Sequence, residues 1–106
     1  MYGRLVVDQR SYAFAARLWV HPSDGGWHFL TVPSDISADI AERTTATRRN
    51  FGSVRVAAVS GGSAWRTSLF PDAATRTYLL PVKKSIRAAT HLEAGDVVEV
   101  KLKIDT

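Results

Sequence analysis

The chain contains no cysteine, so it forms no disulfide and offers no thiolate to a metal or substrate, and burial alone must stabilise its core. No stretch approaches the roughly 18 uninterrupted apolar residues that a membrane helix needs. The segment from Met1 to Asp8 lacks the apolar run of a signal peptide. These absences lead to the expectation of a cytoplasmic protein with no membrane partner. Histidine is sparse, and His21, His28 and His91 have no HxxxH or HExxH spacing, so no metal site is expected. Ser68 lacks a Gly-x-Ser-x-Gly elbow, and Gly61-Gly62 is not followed by the Lys-Ser/Thr of a phosphate loop. The carboxylates fall mostly in turns and on exposed strand faces, without a pair suited to acid-base work. No catalytic residue and no cofactor is expected, and an enzyme is the weakest of the functional classes.

What is present is positive charge. Fourteen basic residues against ten acidic ones give a net charge of +4, and ten of the fourteen are arginine. Arginine suits planar, bidentate partners such as phosphates and carboxylates. A genome whose codons favour arginine and alanine explains the composition equally well, so the basic balance permits nucleic-acid binding without requiring it. At 106 residues the chain is one domain with a single core.

A structural phrase is written twice. Phe29-Leu30-Thr31-Val32-Pro33 precedes a short helix-like run, and a Gly-led alternation follows from Gly52 through Val54, Val56 and Val59. Tyr78-Leu79-Leu80-Pro81 likewise precedes helix-like Lys83–Ala89, and Gly95-Asp96 leads into Val98, Val100, Leu102 and Ile104. An offset of roughly 43 to 48 residues between the two phrases predicts a pseudo-twofold barrel made by one chain. Between these landmarks the period is that of strands. Phe14, Ala16, Leu18 and Val20 share one face, and Asp24-Gly25 marks a hairpin turn into a strand from Trp27 to Val32. Ser34 is the expected N-cap of the first helix, and Ile36 and Ile40 form its apolar stripe as far as Arg43. Thr44 to Asn50 reads as a loop. Strands follow at Phe51–Val59 and Ala64–Phe70, then a turn at Pro71-Asp72-Ala73-Ala74 and a strand from Arg76 to Val82. A helical turn runs from Lys83 to about Thr90, and the last strand spans Val97–Ile104. The expected fold is mainly β: a small double-split β-barrel of six or seven strands with a pseudo-twofold internal repeat and two short helical turns. Residues 1–11 are an N-terminal arm or edge strand, and residues 12–106 a single barrel domain.

The stretch from Ile86 to Val100 resembles the AbrB/MazE swapped-hairpin pattern, in which an Ile-Arg pair opens a short helix and Gly-Asp turns into an alternating strand. It departs upstream, where that pattern has a proline and this chain has Lys83. The span from about Tyr12 to Asp105 resembles a bacterial family known only as a domain of unknown function, with a double-split barrel related to AbrB. The residues that carry this resemblance include Trp27, Phe29, Val32, Pro33, Gly52, Trp65, Thr67, Ser68, Pro71, Tyr78, Lys83, Arg87, Gly95 and Asp96. The resemblance implies the barrel and its pseudo-twofold. It also implies kinship with proteins in which this domain is fused to a bacteriocin-protection (YdeI/OmpD-associated) domain, which this chain lacks. It implies no activity and transfers no catalytic residue.

Three groups of residues are candidates for a site. Lys83, Lys84 and Arg87 lie three and four apart at the start of a helix, where cations and the helix end together favour an anion. The alternative is that Lys83 and Arg87 pair with Asp96 or Asp105 and brace the barrel. In the strand around Trp65, that ring with Thr67 and Ser68 offers an apolar wall and polar handles for a small ligand, although Ser68 falls on the opposite strand face. The alternative there is that Trp65 is core and the hydroxyls bond backbone groups. Arg43, Arg48 and Arg49, with Lys84 and Arg55, form a basic set suited to phosphates of a nucleic acid. Trp19, Trp27 and Trp65 are either stacking platforms for bases or core. Two functions follow. One is a non-catalytic module binding a small anion or a protein partner through Lys83, Arg87, Trp65, Thr67 and Ser68. The other is an AbrB-like nucleic-acid binder using Arg43, Arg48, Arg49 and Lys84. The chain acts as a monomer or, for palindromic DNA, a homodimer.

Overall fold

The computed structural model describes residues 5–8, 11–22, 25–44 and 52–105. Its elements in chain order are β1 (Leu5–Asp8), β2 (Ser11–Arg17), β3 (Trp19–Val20), β4 (His28–Thr31), α1 (Ser34–Arg43), β5 (Val54–Ser60), β6 (Ser63–Asp72), β7 (Thr77–Pro81), α2 (Lys84–Thr90) and β8 (Val97–Ile104). The protein is mainly β. One antiparallel sheet has the order β1-β2-β8-β5-β6-β7-β4-β3, and β1 pairs with β2 at its edge. The last strand falls on the predicted residues because its alternation is strict: Val98, Val100, Leu102 and Ile104 are buried and Val97, Glu99, Lys101 and Lys103 exposed. At the Gly61-Gly62 turn, φ values of 56° and 82° let Ser60 pair with Ser63 in a two-residue hairpin. A Cβ at Gly61 would lie 3.3 Å from Thr90, so the hairpin tip also packs closely against α2.

Two runs of chain each serve both parts of the sheet. β2 pairs with β8 and its continuation β3 pairs with β4; between them Leu18 bonds the turn before β8, through Leu18 N–H to Asp96 O and Gly95 N–H to Leu18 O. β6 pairs with β5 through Leu69 and with β7 from Phe70 onward. The two ends of the sheet are therefore adjacent in one run of chain, and the sheet curls round a core. Leu30, Val32, Ile36, Ile40, Val56, Ala58, Leu69 and Leu80 within it have no accessible surface. Each such large side chain contributes roughly 1.5–3 kcal/mol by burial.

The joint that sets the helices is the β4–β7 pair, where Leu30 faces Leu80. Just beyond each strand, the chain bonds across to the other: Val32 N–H donates to Tyr78 O at 2.9 Å, and Val82 N–H to His28 O at 3.0 Å. Each chain then enters its own helix, and a side chain of that helix caps the carbonyl left behind. Ser37 Oγ–H donates to Val32 O at 3.0 Å, and Arg87 Nε–H to Val82 O at 3.1 Å. Because β4 and β7 are antiparallel, α1 and α2 leave the sheet at opposite ends. Asp39 of α1 accordingly meets Tyr12 on β2, whereas Thr90 of α2 meets the β5–β6 hairpin.

Several boundaries differ from the sequence reading. Ser34 is the first residue of α1 rather than its cap: Pro33 holds the N-cap position, where no side chain caps the helix. The productive serine is Ser37, which is 2% exposed. Pro71 does not open a turn but lies within β6 opposite Tyr78. It is tolerated there because Tyr78 directs its N–H to Ser37 and its C=O to Val32, away from β6, so the missing donor removes no ladder bond. The turn follows at residues 73–76, with Arg76 in the left-handed region. Among the described residues the sheet has eight strand segments, or seven when β2 and β3 are taken as one run. The Asp24 part of the first turn and the start of the strand expected at Phe51 lie outside the described residues.

Ser37 Oγ both donates to Val32 O and accepts from Tyr78 N–H, the latter at 3.1 Å. Ser37→Ala leaves those two buried groups without their partner and is expected to lower stability by about 3 kcal/mol. Ser34→Ala, at an exposed position without a cap bond, is expected to change it by less than about 0.5 kcal/mol. Urea unfolding of both variants checks this; equal effects would contradict the joint as described.

Candidate functional site

At the α2 end of the barrel a cleft of about 370 Å³ opens between β6, the end of β7, the start of α2 and the turn before β4. β6 contributes Trp65, Arg66, Thr67 and Phe70 to it, with Trp65 6% exposed and its Nε1–H donating to Pro81 O at 3.3 Å. The indole is thus both core and cleft wall. Val82 and Pro81, both buried, continue the apolar lining, and Phe70 closes one side. Lys83 stands at the N-cap of α2 in extended conformation rather than inside the helix, and Lys84 and Arg87 follow one turn apart. All three line the cleft.

Arg87 is the best fixed of these cations. Its Nε–H is held by the Val82 carbonyl, which sets the plane of the guanidinium and leaves its terminal NH₂ groups without a partner among the described residues. The expected braces are otherwise engaged. Asp96 accepts from the Glu93 N–H at 2.9 Å, and Asp105 pairs with Arg66 at 3.2 Å. Among the described residues, no carboxylate pairs with Lys83, Lys84 or Arg87, and none lines the cleft.

Of the residues singled out from sequence, Lys83, Arg87, Trp65 and Thr67 meet in this cleft, and Lys84 joins them rather than the arginine group. Ser68 does not. It lies on the other face of β6, with its hydroxyl 3.4 Å from Arg55 Nη1 across the β5–β6 pair. Arg43 is at the opposite end of the barrel, on α1, where its Nε–H donates to Asp39 Oδ2 at 2.8 Å. Arg48 and Arg49 lie outside the described residues. Sequence reasoning missed Arg66, Phe70, His28 and Gly25-Gly26, which also line the cleft. His28 donates from Nδ1 to Gly26 O at 2.6 Å, which ties that turn to β4. Of the two readings of the tryptophans, core fits Trp65 alone: Trp19 is half-buried and Trp27 is 56% exposed. The signal for Trp27 was its place directly after Gly25-Gly26, where a turn carries a side chain outward.

A second depression of about 300 Å³ lies beside α1, between Ser37, Ala38, Ala41, Pro71, Asp72 and Arg76 among others. Asp72 there accepts from the Thr75 hydroxyl at 2.7 Å. Among the described residues no three His, Asp or Glu side chains gather as a metal-ligand set, and no helix is long and apolar enough to cross a membrane.

Among the described residues, a curled antiparallel sheet with two helices and a cleft lined by Lys83, Lys84 and Arg87 defines a small β-barrel-like domain. The chain belongs to the family described as Domain of unknown function (DUF1905), which matches residues 14–102. No match to the chain is found among curated proteins.

The Arg43 end of the barrel makes its own prediction. The Tyr12 hydroxyl donates to Asp39 Oδ2, the oxygen that also receives Arg43. Burial of the ring, then the bond to Asp39 and its charge, push the Tyr12 phenol up from 10.0 to about 12. The hydrogen bond to Asp39, with that carboxylate's charge, likewise raises the Arg43 guanidinium. An unfolded tyrosine loses its proton near 10, so between pH 10 and 12 the folded state holds more protons than the unfolded one. The stabilisation is complete below pH 10 and is lost as pH rises toward 12. Urea midpoints at about pH 9 and about pH 11 are expected to fall more for the wild type than for Tyr12→Phe. Equal falls would contradict the assignment.

Proposed function

We propose that this protein is a non-catalytic binding module that holds a small organic anion in the cleft between β6, β7 and α2. One observation carries the reading: Lys83, Lys84 and Arg87 share a cleft floored by Trp65, Pro81 and Val82, with no carboxylate among the described lining residues. Cations with no carboxylate partner among the described residues, set over an apolar floor, are poised for an anionic group with a hydrophobic body. Arg87 offers a guanidinium oriented by Val82, the two lysines offer adaptable charges, and Thr67 adds a hydroxyl. A charge-assisted hydrogen bond contributes about 1.5–3 kcal/mol, less at the exposed lysines where water screens the charge. Dissociation constants of roughly 10 μM to 1 mM follow for a simple probe.

The nucleic-acid reading draws less support. It joins Arg43 with Lys84, but these stand at opposite ends of the barrel, and Arg43 is paired with Asp39. With the binding reading goes a view of residues 12–106 as one double-split, pseudo-twofold barrel related to AbrB-type barrels and working in a bacterial cytoplasm. The sharing of β2–β3 and β6 between two parts of the sheet, and the reciprocal Val32–Tyr78 and Val82–His28 bonds, support the barrel part of that view.

Isothermal titration of 1-naphthyl phosphate into the protein tests the proposal. Saturable binding in the stated range is expected, weakened about tenfold or more in Lys83→Gln/Lys84→Gln. No binding, binding indifferent to the double variant, or salt-sensitive binding of a mixed-sequence DNA duplex in its place would overturn it.

A further inference from the structure

We infer that the anion held by this cleft carries a planar aromatic ring, and that the ring stacks on Trp27. The inference rests on the reading of the cleft as an anion site and specifies its ligand: a phosphate ester that carries a planar aromatic ring, whether an aryl phosphate or, as in nucleotides, an ester whose ring is attached through a linking group. Trp27 is 56% exposed, an unusual state for the largest apolar side chain in a protein with a small core. It is nonetheless held in place. Its indole lies nearly parallel to Phe29, with ring centroids 6.2 Å apart and planes 11° apart, and Phe29 in turn packs against Trp19 at 5.3 Å. On the backbone side Gly25 and Gly26 take φ values of 96° and 62°, and a Cβ at Gly25 would lie 3.6 Å from the indole. A supported, solvent-facing indole is a stacking platform whose ordering precedes the ligand.

The platform lies where the charge is. Trp27 lines the same cleft as Lys83, Lys84 and Arg87, and Phe70, 44% exposed, lies along it as well. A phosphate alone would leave both exposed rings in water, and an aliphatic chain would cover them without the face-to-face contact. A flat ring joined to a phosphate satisfies the rings and the cations together.

The test compares 1-naphthyl phosphate with cyclohexyl phosphate by isothermal titration on the wild type and on Trp27→Ala. Trp27 is exposed, so the variant is expected to fold, and its urea midpoint verifies that. The naphthyl compound should bind the wild type about tenfold or more tightly than the cyclohexyl one, and the gap should shrink to about twofold in Trp27→Ala. Trp27→Phe should keep part of the gap. Equal binding of the two phosphates by the wild type, or a gap that survives Trp27→Ala, would overturn the stacking inference and leave the anion site standing. Failure of both phosphates to bind would overturn the anion site and this inference with it.

Discussion

The arrangement depends on how two paired strands, β4 and β7, end. A strand that turns into a helix inside a barrel leaves a carbonyl at the corner, and a buried carbonyl without a donor is costly. Here β4 and β7 solve the problem reciprocally. Each chain passes its next N–H to the other strand, and each helix returns a side chain to the carbonyl behind it, Ser37 to Val32 and Arg87 to Val82. The solutions differ in one respect. Serine completes the α1 corner with a small neutral group, whereas arginine at the α2 corner needs only Nε for the bond and presents the rest of a cation to the cleft.

That difference separates the two ends of the barrel. At the α1 end the cation, Arg43, is paired with Asp39, and Asp39 is also bonded to Tyr12, so the cluster fastens helix to sheet. At the α2 end, Lys83, Lys84 and Arg87 have no such carboxylate among the described residues. The basic residues therefore divide by partner: Arg43 pairs with Asp39 at the α1 end, and Arg66, which also lines the cleft, pairs with Asp105, while Lys83, Lys84 and Arg87 stand over an apolar floor with no carboxylate partner among the described residues. Charge composition alone does not distinguish these roles; topology does.

The β8 strand was legible because strict alternation and Gly95-Asp96 leave little choice of register. The convergence of Lys83, Arg87, Trp65 and Thr67 was legible in kind, since helical and strand spacings put them on usable faces. Ser37 was not, because a serine in a polar helix carries no sign that its hydroxyl will turn inward to two backbone groups on different elements. Ser34, beside a proline, looked the better cap, yet the extended proline itself took that position. Pro71 was misleading for a related reason: proline breaks a strand only where its N–H is needed, and here the facing residue bonds elsewhere. The exposed Trp27 and its Phe29 support depend on the β3–β4 pairing, which local patterning does not fix.

The most direct test of this account is a map of where a bound anion perturbs the protein. In ¹⁵N-edited NMR spectra titrated with 1-naphthyl phosphate, the account predicts shifts at the Trp27 and Trp65 indoles, at Thr67 and through Val82–Arg87, with α1 and Tyr12 unmoved. Shifts centred on α1, or spread over the outer face of β8 and β5, would contradict it.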